Sequence, residues 1–242
     1  MRVEKTKYTV IKDYSKGNRR FKKARYEKAK SMYEQLDGQV NVPKVMSSSD
    51  MVLELEKIED KPLTESDHEA LCEELLKFQF SNVKPKESLI LKIVDNPSVR
   101  MFFETLYALP KIGFFSAVKT LLLLLRYILF FRLDEKILIH NDLNKGNVKM
   151  HKGQVCFIDL ESTTTSKKWV FKDIMHYAID QKTFKVDEEL VRNYEKELKK
   201  NVSNTNFSID KKISALFYMI RRLTKNKNSK GNVENYITHL NQ

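Results

Sequence analysis

Residues 139–161 constrain this chain more than any other stretch. Ile139-His140-Asn141-Asp142-Leu143-Asn144-Lys145-Gly146-Asn147-Val148 sets an Asp and an Asn five residues apart in a polar loop, and Phe157-Ile158-Asp159-Leu160-Glu161 puts a second Asp at the end of an apolar run. Between them Asn147-Val148-Lys149-Met150 alternates, Lys152-Gly153 is turn-like, and Val155-Cys156-Phe157-Ile158 is short and apolar. Two such runs around a turn predict a β-hairpin. Its two arms bring Asn147 and Asp159 close together in space.

These residue types define a chemistry. A hydroxyl that attacks a γ-phosphate needs a carboxylate beside it to orient it and accept its proton, and a triphosphate needs divalent cations held by oxygen ligands. Asp142 fits the first role; Asn147 and Asp159 fit the second, as hard oxygen donors from two chain segments. The stretch is similar to the H-x-D-x-x-x-x-N catalytic loop of the protein-kinase-like superfamily and to its metal-binding Asp at the D-F-G position. The resemblance implies an ATP-dependent phosphotransferase with Asp142 as catalytic base and Asn147 and Asp159 as Mg2+ ligands. His140 would pack and orient the turn.

The upstream half supplies further parts. Tyr8-Thr9-Val10-Ile11-Lys12 is an alternating, β-branched run ending in Lys12, which under the resemblance is the phosphate-binding lysine. Residues 18–36 predict a helix with Ala29, Met32, Tyr33 and Leu36 on one face. Glu27, one turn before that stripe, is the candidate partner of Lys12, with Glu34 competing for the role. Val42–Val45 and Met51–Glu56 predict two more strands, and Glu56 to Glu59 resembles the hinge where adenine meets the backbone, so Glu56, Lys57 and Ile58 are nucleotide-binding candidates. The chain has only six Gly and no G-x-G-x-x-G, and the eleven residues before Lys12 are too few for the two strands of a phosphate-covering loop. Cover from elsewhere, a reduced small lobe and a pseudokinase all stay open; the joint presence of Asp142, Asn147 and Asp159 argues against the last. The implied fold is α+β and bilobal: a reduced β lobe with one helix over residues 1–59, and a mainly α-helical lobe over 60–242.

Residues 114–133 hold thirteen Leu, Ile, Phe or Val, a length that could span a bilayer. Lys119 and Arg126, at about 2.5–3.5 kcal/mol each near a helix centre, largely offset the apolar gain. Ser116, Lys119, Thr120, Arg126 and Tyr127 share one narrow stripe, which predicts a core helix buried on most of its circumference. The net charge of +12 is uneven: residues 16–30 carry eight Lys/Arg against one acid, and residues 211–230 seven against none. Such clusters attract phospholipid head groups, phosphorylated glycans or nucleic acid, or are simply solvated helix faces. Slight aromatic interleaving ranks nucleic acid below a membrane. Cys72 and Cys156 suggest neither a disulfide framework nor a zinc site. The charged N-terminus lacks a signal-peptide core. The expected location is cytoplasmic, with peripheral attachment to the inner face of the cytoplasmic membrane as an option.

The residues after Asp159 narrow the acceptor. Only Leu160 to Lys168 separates it from Trp169-Val170-Phe171-Lys172-Asp173-Ile174, and there is no A-P-E beyond, which leaves little room for a peptide platform. Asn141 stands where regulated protein kinases have Arg. Asp173 resembles the buried aspartate that bonds the catalytic-loop backbone, or is a plain helix cap. These features move the resemblance, over roughly residues 7–180, toward aminoglycoside and choline phosphotransferases and the Kdo or heptose kinases of the lipopolysaccharide core. The run from Ile11-Lys12 through the basic helix to Val42-Pro43 is similar to the small lobe of the last group. The implied acceptor is a sugar hydroxyl, on a cell-surface glycan or lipopolysaccharide core, with a lipid-linked form as an option. An atypical serine/threonine protein kinase and a nucleotide-binding pseudokinase or basic membrane-associated scaffold are the alternatives. Helices are predicted at about 187–200 and 209–224, and loops at 47–49, 162–166 and 225–231.

Overall fold

The structure, a computed structural model, describes residues 1–16, 18–180, 183–202, 206–225 and 230–241. Packing divides the chain into two compact units, Met1–Asp95 with Ile137–Thr165, and Asn96–Lys136 with Ser166–Gln242. Residues 60–95 and the loop and hairpin of 137–165, assigned to the large lobe on sequence, thus group with the N-terminal sheet.

In the first unit β1 (Arg2–Lys5), β2 (Thr9–Asp13), β3 (Val45–Ser49) and β4 (Val52–Glu56) form an antiparallel sheet in the order β1-β2-β4-β3. Alternation along β4 buries Leu53 and Leu55. The connection from β2 to β3 carries α1 (Arg19–Leu36), which starts where Asn18 accepts a hydrogen bond from the Phe21 amide at 3.3 Å. Ala29, Met32, Tyr33 and Leu36 are all buried, as their spacing predicts. After α2 (His68–Gln79) and α3 (Leu89–Val94) come β5 (Ile137–Ile139), the hairpin β6 (Val148–His151) and β7 (Gln154–Phe157), and β8 (Thr164–Ser166), which pairs with β5. Lys152 and Gly153 turn the hairpin with φ of 51° and 77°, the positive values a tight two-residue connection needs. Cys72 in α2 and Cys156 in β7 are buried and free, and burial pushes the Cys156 thiol up to about 12.

Three local readings change. β1 is a strand despite its charged, exposed sequence, because its ladder to β2 is built from backbone groups and needs no apolar alternation. Strand β3 begins at Val45 and takes in Ser47–Ser49, read from sequence as a loop; Pro43, with no N–H to give, stays outside it. Part of the segment 162–166 is likewise β8 rather than loop.

The second unit is helical: α4 (Pro97–Ile112), α5 (Phe114–Phe130), α6 (Lys172–Ala178), α7 (Glu188–Asn201), α8 (Ser208–Lys225) and α9 (Lys230–Asn241). Helix α8 is its core, burying Ile213, Leu216, Phe217, Ile220 and Leu223. In its first turn the buried Asp210 accepts hydrogen bonds from the amides of Trp169 at 3.0 Å and Phe171 at 2.9 Å and from the Tyr127 hydroxyl at 2.5 Å. Burial raises its pKa to about 6 against the pull of these donors. Helices α7 and α8 match the predicted spans; α9 was not anticipated. Of the loop read at 225–231, residues 226–229 lie outside the described residues, Lys225 ends α8 and Lys230 opens α9.

Helix α5 is oriented differently from the expectation. Its buried residues are Ala117, Thr120, Leu124 and Tyr127. Two members of the predicted polar stripe therefore face inward, where the Thr120 hydroxyl meets that of Tyr236 and Tyr127 meets Asp210. Satisfied hydroxyls carry little penalty for burial, and the apolar residues of the opposite face stay outside. No helix of the described residues is long and apolar enough to cross a membrane.

Candidate active site

The apolar strand β5 leads directly into the loop. His140 Nε2 lies 2.7 Å from the Ile158 carbonyl, so it must carry the proton, and it ties the loop to the residue before Asp159. Asn141, with φ of 69°, donates its side-chain amide to the carbonyls of Asp95 at 2.8 Å and Ser162 at 2.9 Å. The Asn147 side-chain amide donates to the Asp142 carbonyl at 2.8 Å, and the Ile158 amide donates to the Asn147 carbonyl at 3.0 Å. Asn147 thus commits its nitrogen to the loop, and its side-chain oxygen is the atom suited to a cation. Asp142 is partly exposed.

Asp159 sits in the left-handed region, φ 61° and ψ 48°, a conformation costly for most residues but tolerated by Asp and Asn. Its amide donates to the Tyr33 hydroxyl of α1 at 3.0 Å. Its carboxylate forms an ion pair with Lys12, whose ammonium lies 3.8 Å from Glu161 as well. Tyr14 donates its hydroxyl to Glu161 at 2.7 Å. Burial is the largest influence on Lys12 and disfavours its charge, yet Tyr33, Asp159 and Glu161 together outweigh it and raise the pKa above the usual lysine value. Lys12 is therefore a fixed cation at 5% exposure.

Glu27 does not take the place expected for it. Among the described residues Glu27 pairs with Lys86 at 3.8 Å and Glu34 with Lys30 at 3.8 Å, whereas the partners of Lys12 are Asp159 and Glu161. The buried face of α1 presents Tyr33, not a glutamate, to this point. Glu161 had a signal in the sequence, as the second acid of Asp159-Leu160-Glu161, but nothing in its spacing told it from a solvated glutamate.

Lys12, Tyr33, Ile158 and Asp159 line one cavity of about 550 Å³ together with Leu55 and the segment Glu56–Asp60. Val3, Val10 and Leu55 give it an apolar part near Lys57 and Ile58, and β1 forms part of its wall. Glu56 itself is engaged with Lys152 at 2.9 Å, and the amides of Glu56 and Lys57 donate to the carbonyls of Lys44 at 2.8 Å and Tyr8 at 2.9 Å. Among the described residues no cluster of three or more His, Cys, Asp or Glu could hold a metal alone. One carboxylate and one amide oxygen suit Mg2+, which commonly takes one or two protein ligands and completes its shell with phosphate and water. Asp173 is buried in α6 of the second unit.

Sequence reading missed a buried charge cluster behind the loop. Lys28 is fully buried and contacts Asp95 and Glu87, each at 2.7 Å. Arg25 clasps Asp95 through two nitrogens at 2.6 and 2.7 Å and donates to the Glu161 carbonyl at 2.6 Å. Two members of the basic run 16–30 are thus internal. Removing one partner of such a cluster strands the others, so Asp95→Ala is expected to cost about 3–5 kcal/mol. Denaturant unfolding checks this; a change below about 1 kcal/mol would show the cluster to be dispensable.

No family model and no curated protein sequence matches the chain. Solved structures do match, at low identity and nearly full length. Choline kinase LicA from Streptococcus pneumoniae superposes with a TM-score of 0.64 at 14% identity, covering 98% of this chain and 88% of that one. The streptomycin-ATP-APH(2")-IIa ternary complex gives 0.61 at 14% identity, covering 97% and 85%. A choline/ethanolamine kinase family protein from Mesorhizobium loti gives 0.61 at 14% identity, covering 99% and 85%. The chain has the fold of the protein-kinase-like small-molecule kinases.

Proposed function

We propose that the chain is an ATP-dependent phosphotransferase that phosphorylates a hydroxyl of a sugar, on a cell-surface glycan or lipopolysaccharide core. The observation that carries the reading is the convergence of Lys12 and Asp159 on one cavity, with Asn147 bonded to the main chain of Asp142 beside them. The nucleotide bound in APH(2")-IIa, a structure of the same fold, supports ATP as donor. The base would be placed on the apolar residues between Val3 and Leu55, against the backbone of 56–58.

In this reading Lys12, already charged and buried, exchanges part of its contact with Asp159 for phosphate oxygens. Asp159 and Asn147 would hold Mg2+, which supplies charge neutralisation across the phosphates. Asp142, exposed enough to meet an acceptor, orients the hydroxyl and takes its proton. His140 and Asn141 hold this loop to the segment after β7 that carries Asp159, through Ile158 and Ser162. The span after Asp159 is filled by a short turn and β8 and reaches α6 at Lys172, which supports a small or glycan acceptor over an extended peptide.

Incubating the protein with labelled ATP, Mg2+ and a panel of acceptors tests the proposal. The panel comprises dephosphorylated lipopolysaccharide core oligosaccharide, choline, an aminoglycoside and a generic peptide. Label is expected on the oligosaccharide. Label on the peptide or on the protein itself would replace the sugar acceptor, and no nucleotide consumption with any acceptor would overturn the phosphotransferase reading.

A further inference from the structure

We propose that the outer faces of α4 and α5 are a docking surface for an anionic phospholipid bilayer. The starting point is the inverted helix α5. Phe115, Val118, Leu122, Leu125 and Leu129 recur every three or four residues on the side opposite its buried stripe, and Phe115, Leu122 and Leu129 are 87%, 61% and 65% exposed. At about 1.5 Å per residue the stripe runs roughly 21 Å along the helix. On the neighbouring α4, Phe102, Phe103, Leu106 and Tyr107 are exposed in the same way. The protein covers the side of α5 that carries Ala117, Thr120, Leu124 and Tyr127 and leaves its apolar row outside. Scattered apolar residues on a surface are ordinary, but rows of exposed large apolar residues on two helices that pack against each other mark an interaction site.

Charge selects the occupant. Lys119 and Arg126, each four residues after a stripe member, border the α5 stripe and are exposed, and α5 contains no acid. Residues 97–132 carry Arg100, Lys111, Lys119, Arg126 and Arg132 against the single acid Glu104, which accepts a hydrogen bond from Thr224. A second copy of the chain docked through this face would set these cations against their own equivalents. Anionic head groups complement them, and long Lys and Arg side chains reach the head-group layer while apolar neighbours enter the acyl boundary. With no helix able to cross a bilayer among the described residues, the helices lie along its surface.

Vesicle flotation with the full chain tests this without reference to phosphate transfer, so the docking surface and the phosphotransferase reading fail separately. Vesicles of phosphatidylglycerol mixed with phosphatidylcholine are expected to bind the protein, and phosphatidylcholine alone to bind it poorly. Leu122→Asp with Leu129→Asp should weaken binding by roughly tenfold or more, since withdrawing two large side chains and adding charge exceeds one decade of affinity. Lys119→Glu with Arg126→Glu should weaken it and flatten its salt dependence. Met46→Asp, an exposed apolar site on β3, is the control expected to bind as wild type, and circular dichroism reports folding of each variant. Three outcomes would overturn the proposal: no vesicle binding by the wild type, equal binding by the α5 variants, or loss of binding only on Arg20→Glu with Lys23→Glu in α1. A solution dimer split by Leu122→Asp without any lipid binding would reassign the face to a second copy.

Discussion

Asp159→Asn is expected to abolish phosphoryl transfer while leaving the protein folded. The substitution removes the charge that pairs with Lys12 and would ligate the cation, yet Asn tolerates the left-handed backbone that Asp159 adopts. The amide bond to Tyr33 comes from the main chain and survives. Lys12 keeps Glu161 nearby, so its buried charge is not left alone. Lost activity would therefore report the missing carboxylate rather than a collapsed loop. Asn147→Ala should be milder, weakening transfer and shifting the metal requirement, because it removes one neutral ligand and its bond to the Asp142 carbonyl. Labelled-phosphate transfer across a Mg2+ titration, beside thermal melts of each variant, is the measurement. Unchanged nucleotide consumption in Asp159→Asn would sink the kinase reading.

How much of this was legible in the sequence depended on where each contact lies along the chain. The hairpin of β6 and β7 was readable because its alternation and its Lys152-Gly153 turn are local signals. So were α1, with its apolar face, and the placing of Asn147 near Asp159, which comes from the hairpin alone. The partner of Lys12 was not readable, because 147 residues separate it from Asp159, and which carboxylate arrives is decided by the packing of α1. For the same reason Arg25 and Lys28 looked like part of a solvated basic run: their acids, Glu87 and Asp95, lie far downstream. Helix α5 was legible as a helix but not in its orientation. Thr120 and Tyr127 look outward by polarity, and only their partners Tyr236 and Asp210 turn them inward. Strand β1 left no trace because an edge strand held by its backbone ladder needs no pattern of side chains.

Asp142→Asn is expected to separate nucleotide binding from turnover. The loop is held by main-chain and neighbouring groups: Asn147 and the Asn144 amide both donate to the Asp142 carbonyl, and His140 fixes the loop to Ile158. An isosteric amide keeps the shape of the side chain and leaves these bonds intact, so the loop and the residues around Lys12 and Asp159 should stay in place. A positioned base contributes about 10²–10⁴-fold in rate, and transfer should fall by that order while Mg-ATP still binds. The contrast with Asp159→Asn is the informative part, since that variant is expected to lose the cation as well as the chemistry. Calorimetric nucleotide binding and acceptor phosphorylation, measured on both variants, make the comparison. Full transfer by Asp142→Asn, or loss of nucleotide affinity in a protein that melts as wild type does, would remove the base from this position and leave the loop with a structural role.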